Sequence, residues 1–326
     1  MDVLVTGGAG FLGKRLARAL LSRGRLPGPD GREEAIDRLT LLDLTAASGP
    51  GDPRLRTIAG DMGDPELLRN ALGEAGAVFH LAAVVSAQAE ADFDLGMRVN
   101  LDATRLLLDA CRGLPRPPRL VSTSSVAVYG GALPPLVTDE TALRPQSSYG
   151  AEKAMGELLV SDYTRRGFVD GRVLRLPTVS VRPGKPNRAA SSFASGIIRE
   201  PLQGQEAVCP VGPETRLWLL SPRGAVAALL HGCEIPGEAL GGVRSVNLPG
   251  VSVTVGEMVE TLRQVDPAAA GRVRWERDPL VERIVGSWPG RWDTSRAEAL
   301  GFRGDAGFDA IVDAFREDDL LPAGGR

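Results

Sequence analysis

Histidine is nearly absent from this chain. His80 and His231 are its 2 among 326 residues, too few for the imidazole clusters that hold most zinc and other transition metals. Cys111, Cys209 and Cys233 are odd in number and widely spaced, which argues against a disulfide framework or a thiolate metal site. An excess of one charge is also missing. With 38 basic against 41 acidic side chains the formal net charge is −3, so nothing broadly basic faces nucleic acid or an anionic membrane. No apolar run approaches the roughly 20 residues of a membrane-spanning helix. Residues 1–13 lack the basic start and cleavage site of a leader, and read better as a strand and glycine turn. The expectation is a cytosolic protein with no metal, membrane or nucleic-acid partner.

What is present is an ordinary globular mixture, 43% hydrophobic and 24% charged. Short apolar runs alternate with helical spacing through the first two-thirds. "DVLVTGG" reads as a buried strand, and "GFLGKRLARALLSRG" as a helix with Leu12, Leu16 and Leu20 on one face and Gly24 at its end. A polar loop at 25–37 looks like an insertion. Strands follow in "DRLTLLDL", "LRTIAGD" and "AVFHLAA", then a long helix from about Phe93 to Leu114, the strand "RLVSTSSVAVYG", a helix from Tyr149, and the strand "VLRLPTVSV". Strands separated by helices imply parallel β-α-β units, and near-continuous apolar strands imply a sheet covered on both faces. The fold class is therefore α/β, a doubly wound parallel sheet with a smaller α+β lobe. Residues 1–180 form the first unit, with 217–247 expected to rejoin it. Residues 181–216 and 248–326 form the lobe.

Gly7-Gly8-Ala9-Gly10-Phe11-Leu12-Gly13 lies between the first strand and its helix. Glycines there let the backbone turn sharply and approach a pyrophosphate set on the helix N-terminus. Asp43 ends the second strand, where a carboxylate accepts from both adenosine ribose hydroxyls and repels a 2′-phosphate, favouring NAD over NADP. Asp61 and Met62 end the third strand, beside the place for adenine. Asp64 before Pro65 reads as a helix cap.

Ser124, Ser125, Tyr149 and Lys153, with Asn100 upstream, form the second constellation. A tyrosine titrates near 10 and must be lowered to serve as a base. An ammonium one helical turn away favours the phenolate, and a serine hydroxyl opposite fixes the reacting oxygen. A Tyr/Lys pair at this spacing is most often a surface pair. The hydroxyl-ended strand just before it, in a chain with a dinucleotide loop, favours catalysis.

"TGGAGFLG", "LLD", "GDM", "FHLAA", "VNLDAT", "STSSVAVYG", "YGAEK" and "RLPTVSVRPG" together resemble the extended short-chain dehydrogenase/reductases, which include sugar-nucleotide epimerases and dehydratases. The resemblance spans nearly the whole chain. It implies a Rossmann fold binding NAD, with Ser125 as the catalytic serine, Tyr149 as base, Lys153 as its activator and ribose anchor, and Asn100 as a support. It implies a cofactor site of Gly7, Gly10, Phe11, Leu12, Gly13, Asp43, Asp61, Met62, Leu81, Ala82, Ala83, Asn100, Tyr149, Lys153 and Pro177. His80 is implied to be structural. Helices near 93–114 and 149–167 are implied to pair into a homodimer.

For the substrate, "STSSV" lacks the acidic pair usual in dehydratases of this family. Segments such as "SSYGAEKAMGELLV", "SSFASGIIREPL" and "ERIVGSWPGRWD" resemble members that oxidise small hydroxy acids, most closely a four-carbon sugar acid at C2. Arg216 and Arg291 match phosphate-binding positions of sugar-nucleotide members and here are candidates to grip a carboxylate, as guanidinium does bidentately. Structural ion pairing is an equal reading of each. Ser86, Ser192 and Arg182 are further candidates for sugar hydroxyls. Trp218, Trp288 and Trp292 read as packing residues. Two other functions stay open: a sugar-nucleotide epimerase that retains NAD, and a non-catalytic NAD-sensing regulator, which intact Ser125, Tyr149 and Lys153 disfavour.

Overall fold

The computed structural model describes residues 1–47, 51–184 and 189–320. The first strand, Asp2–Thr6, is buried almost throughout. Its alternating side chains divide between two layers, Val3 and Val5 on one face and Leu4 on the other. Around it seven parallel strands form one sheet. In spatial order these are Ser245–Asn247, Asp170–Leu176, Arg119–Ser125, Ala77–His80, Asp2–Thr6, Arg38–Asp43 and Leu55–Ala59. The chain winds outward from Asp2–Thr6 in one direction and from Ala77–His80 in the other. These two strands flank the switch point, where doubly wound sheets open a crevice beyond their carboxyl ends.

Helices Phe11–Arg23 and Pro222–Glu234 cover one face, burying Leu16, Leu20 and Leu229. Helices Pro65–Leu72, Ala103–Arg112 and Ser148–Arg165 cover the other, burying Leu68, Leu107 and Val160. Strand Arg216–Leu220 lies in a small second sheet, parallel to Thr178–Val179 and antiparallel to Val251–Thr254. Helix 222–234 and strand 245–247 are the pieces that return to the main sheet. A separate apolar cluster of Ile197, Leu217, Met258 and Ile311 forms the core of the smaller lobe. Residues 185–188 of the turn-rich stretch lie outside the described residues. Among the described residues no helix is long and apolar enough to cross a membrane.

Three segments differ from the sequence reading. The loop at 25–37 is a β-hairpin, Arg25–Pro27 against Glu33–Ala35, because Leu26 and Ile36 are buried against the first helix layer. The helix at 93–114 is three pieces, Phe93–Gly96, a π-helical turn Met97–Asp102, and Ala103–Arg112. The strand at 119–130 stops at Ser125, whose hydroxyl accepts from the Ala127 amide at 3.2 Å and starts a 3₁₀ turn.

A buried polar network ties the catalytic helix to the sheet. Glu157 accepts from Ser124 Oγ at 2.5 Å, Arg175 Nη2 at 2.7 Å and Ser245 Oγ at 3.1 Å. Arg175 Nη1 also donates to the Tyr129 hydroxyl at 2.5 Å. Removing one member leaves the other charge buried and unpaired. Glu157→Ala is therefore expected to cost about 3–5 kcal/mol of stability, read from denaturant midpoints at unchanged slope.

Candidate active site

The glycine turn is shaped by contacts only glycine tolerates. Gly7 has φ +72°, and a Cβ there would meet the Ala82 amide nitrogen at 2.7 Å. A Cβ on Gly13 would meet the Gly7 carbonyl oxygen at 2.3 Å. This packing sets the first helix close behind the loop. Gly10 caps that helix without any side-chain cap hydrogen bond, so its first N–H groups suit an anion. A diphosphate fits this cradle.

Two contiguous cavities open from it across the switch point. One is bounded by Gly7, Gly10, Asp43, Asp61, Met62, Leu81, Ala82 and Ala83. Asp43 Oδ2 accepts from the Ala9 amide at 3.0 Å, which fastens the strand-end carboxylate to the glycine loop. The other runs past Phe11, Leu12 and Gly13 to Tyr149, Lys153, Arg182 and Ser192. Together they line a trough from Asp43 to Tyr149, in which adenosine would take the Asp43 end and nicotinamide the Tyr149 end. Leu42, Leu44, Arg98 and Val99 line the Asp43 end as well; Leu44 and Arg98 lie outside the motifs, and their placement depends on how the helices pack.

A smaller cavity of about 190 Å³ adjoins the nicotinamide end. Ser86, Ser125, Tyr149, Pro177, Arg182 and Trp288 line it. Ser147 caps the helix carrying Tyr149 by accepting from the Gly150 amide at 3.2 Å, and strand Arg119–Ser125 delivers Ser125 opposite. The Ser125 and Tyr149 side chains line the same cavity wall. Burial pushes the Tyr149 phenol up to about 12, while the Ser125 side chain and the Arg182 charge act to lower it. Burial brings Lys153 down to about 8. Lys153 Nζ donates to the Thr123 carbonyl at 3.1 Å and stands 5.9 Å from the Tyr149 ring centre. The ammonium is thus anchored on the strand floor beneath the phenol.

Asn100 faces away from the cavity. Its amide exchanges hydrogen bonds with the backbone of Val84, at 2.8 and 3.1 Å, and donates to Glu152 Oε2 at 2.6 Å. It therefore braces the segment that follows Leu81–Ala83. His80 bridges Thr6 Oγ1 at 2.8 Å and Thr104 Oγ1 at 2.9 Å, and burial holds it down to about 3, a neutral crosslink in the core.

Arg216 and Arg291 are not brought to Tyr149. They line a separate open cavity with Pro135, Thr215 and Trp288, and Arg216 faces Ser252 Oγ at 3.4 Å. The guanidinium at the small cavity is that of Arg182, and among the described residues no carboxylate pairs with it. Its backbone is gripped by Ser195 Oγ, which accepts from its amide at 3.0 Å, and by Arg199 Nη1, which donates to its carbonyl at 2.5 Å. Arg199 escaped the sequence reading, since only folding of helix Phe193–Leu202 against this turn brings it to the cleft. Trp218 and Trp292 stack in the interior at 5.8 Å. Trp288 packs against the lobe core as read and also reaches the wall of both the small cavity and the arginine cavity.

A doubly wound sheet with a glycine cradle at its switch point, and serine, tyrosine and lysine at the far end of the same trough, defines a short-chain dehydrogenase/reductase. Residues 3–221 match one group within that class, and the chain belongs to the NAD dependent epimerase/dehydratase family. It is 66% identical over 320 residues to D-erythronate dehydrogenase of Cupriavidus necator, covering 98% of each chain. It is 46% identical to D-erythronate dehydrogenase of Haemophilus influenzae, covering 98% of this chain and 100% of that one. Among solved structures, a nucleoside-diphosphate-sugar epimerase from Agrobacterium tumefaciens matches with TM-score 0.92 and 42% identity, over 98% of this chain and 94% of that one.

Proposed function

We propose that this protein oxidises the C2 hydroxyl of D-erythronate with NAD⁺, giving 2-oxo-tetronate, NADH and a proton. The observation that carries this reading is the small cavity, where Ser125 and Tyr149 converge beside the Arg182 guanidinium. Its size suits a four-carbon acid, and full-length likeness to two D-erythronate dehydrogenases supports the same substrate.

Arg182 holds the carboxylate, and Ser86 and Ser192 are placed for the remaining hydroxyls. Ser125 hydrogen-bonds the C2 oxygen and directs it at Tyr149, which takes its proton as the C–H bond breaks. Lys153 stabilises the phenolate from below and would hold the nicotinamide ribose. NAD⁺, when bound, would supply the hydride acceptor. Holding acid and acceptor in one partly closed cleft contributes much of the rate.

Asp43 sets the cofactor preference. Asp43→Ser is expected to lower the NAD-to-NADP ratio of kcat/KM by about 10- to 100-fold, the equivalent of roughly 1.4–2.8 kcal/mol. Steady-state kinetics with the two cofactors check this. A homodimer through the outer faces of helices 93–112 and 148–165 is part of the reading, supported by exposed Phe93 and Leu158. So is a cytoplasmic site, supported by three buried free cysteines.

The test is NADH appearance from NAD⁺ with D- and L-erythronate, D- and L-threonate and L-threonine, alongside UDP-glucose and UDP-galactose. Turnover with D-erythronate is expected. The open cavity at Arg216 and Arg291 favours the epimerase as the second reading. Interconversion of the UDP-sugars with silence on every acid would establish it instead.

A further inference from the structure

Resting on the dehydrogenase reading, we propose that Glu152 is a positioning residue of the reaction, anchoring Asn100 from behind and setting a buried negative charge beside Lys153 that favours its ammonium form. Glu152 lies in the catalytic helix between those two residues, yet it points away from the cavity and is 1% exposed. Its Oε2 accepts from Asn100 Nδ2 at 2.6 Å, and its Oε1 is buried without a hydrogen-bond partner. A Cβ on Gly96 would meet that oxygen at 2.3 Å. The glycine thus opens the space the carboxylate occupies.

A carboxylate oxygen buried without a donor is costly. The mechanism above does not use it, and a neutral residue of similar size would satisfy Asn100. What a carboxylate adds is charge. Its field raises the affinity of both Lys153 and Tyr149 for their protons. The other groups facing the pair leave this role unfilled. Glu157 also acts on Lys153 but is bound to Arg175. His80 is neutral, Arg182 pulls Tyr149 the opposite way, and Glu90 faces Glu152 rather than the pair. Through Asn100 and Val84 the same carboxylate is mechanically linked to the loop that lines the cofactor trough.

Tyr149 and Lys153 titrate as a pair, so the two limbs of the pH profile belong to both. Because the Glu152 charge raises both groups, its removal moves both limbs to lower pH whichever group owns which limb. Glu152→Gln in the full chain is expected to shift the kcat/KM profile for NADH formation by about one pH unit, the scale of one opposite charge nearby. A purely structural role would lower kcat and leave the limbs in place, and that result overturns the proposal. An independent readout needs no substrate. Lys153 is one of three lysines in the chain, with Lys14 and Lys185, so NMR of the lysine ε-carbons follows its titration directly. A lower Lys153 midpoint in Glu152→Gln supports the proposal even if D-erythronate fails as substrate, and an unchanged midpoint refutes it. Should Glu152→Gln not fold, Gly96→Ala, which displaces the carboxylate without removing it, is expected to move the midpoint the same way by less. No movement there also refutes the role.

Discussion

Tyr149→Phe forms NADH from D-erythronate at a kcat roughly 10²–10⁴-fold below the parent enzyme, the range a positioned proton acceptor contributes. The substitution removes one oxygen, and the ring keeps its place in the cleft, so NAD⁺ affinity is expected to stay within about twofold. Rapid-mixing kinetics would show the loss in the hydride-transfer step itself. The phenol is costly to ionise where it stands, since burial pushes it up to about 12. The Ser125 side chain and the Arg182 charge act to bring it toward the working range. Activity surviving in Tyr149→Phe would move the base elsewhere and sink the mechanism.

Arg182→Met raises the KM for D-erythronate by about 10- to 150-fold, the equivalent of the roughly 1.5–3 kcal/mol of a charge-assisted hydrogen bond. The methionine retains much of the stem volume. Loss of the guanidinium also removes a charge that lowers Tyr149. The limb set mainly by Tyr149 is therefore expected to move to higher pH, opposite to Glu152→Gln. Arg216→Met and Arg291→Met, in their separate cavity, are expected to leave KM for the acid within about twofold. If one of them raises KM while Arg182→Met does not, the carboxylate is held from the other side of Trp288.

Local chemistry made several elements readable in the chain alone. The glycine turn is legible because its strand-turn-helix context and its glycine spacing are contiguous, and the clashes a Cβ would make at Gly7 and Gly13 come from within or beside that turn. Tyr149 and Lys153 are legible because one helical turn fixes their relation whatever surrounds them. The order of strands along the chain followed from alternation of period.

What the chain alone determined is the class of fold, the glycine cradle and the Tyr149–Lys153 relation, all encoded in short segments whose geometry is fixed by nearest neighbours. The tertiary structure decided which arginine lines the cavity beside Tyr149, because Arg182, Arg216 and Arg291 are alike in sequence and differ only in the cavity that packing gives them. It decided that Asn100 meets Glu152 across 52 positions through a π-helical turn, and that Lys153 rests on the Thr123 carbonyl beneath the phenol. Those placements arise from helix-against-sheet burial, which sums contacts over the whole chain and leaves no mark in any one segment.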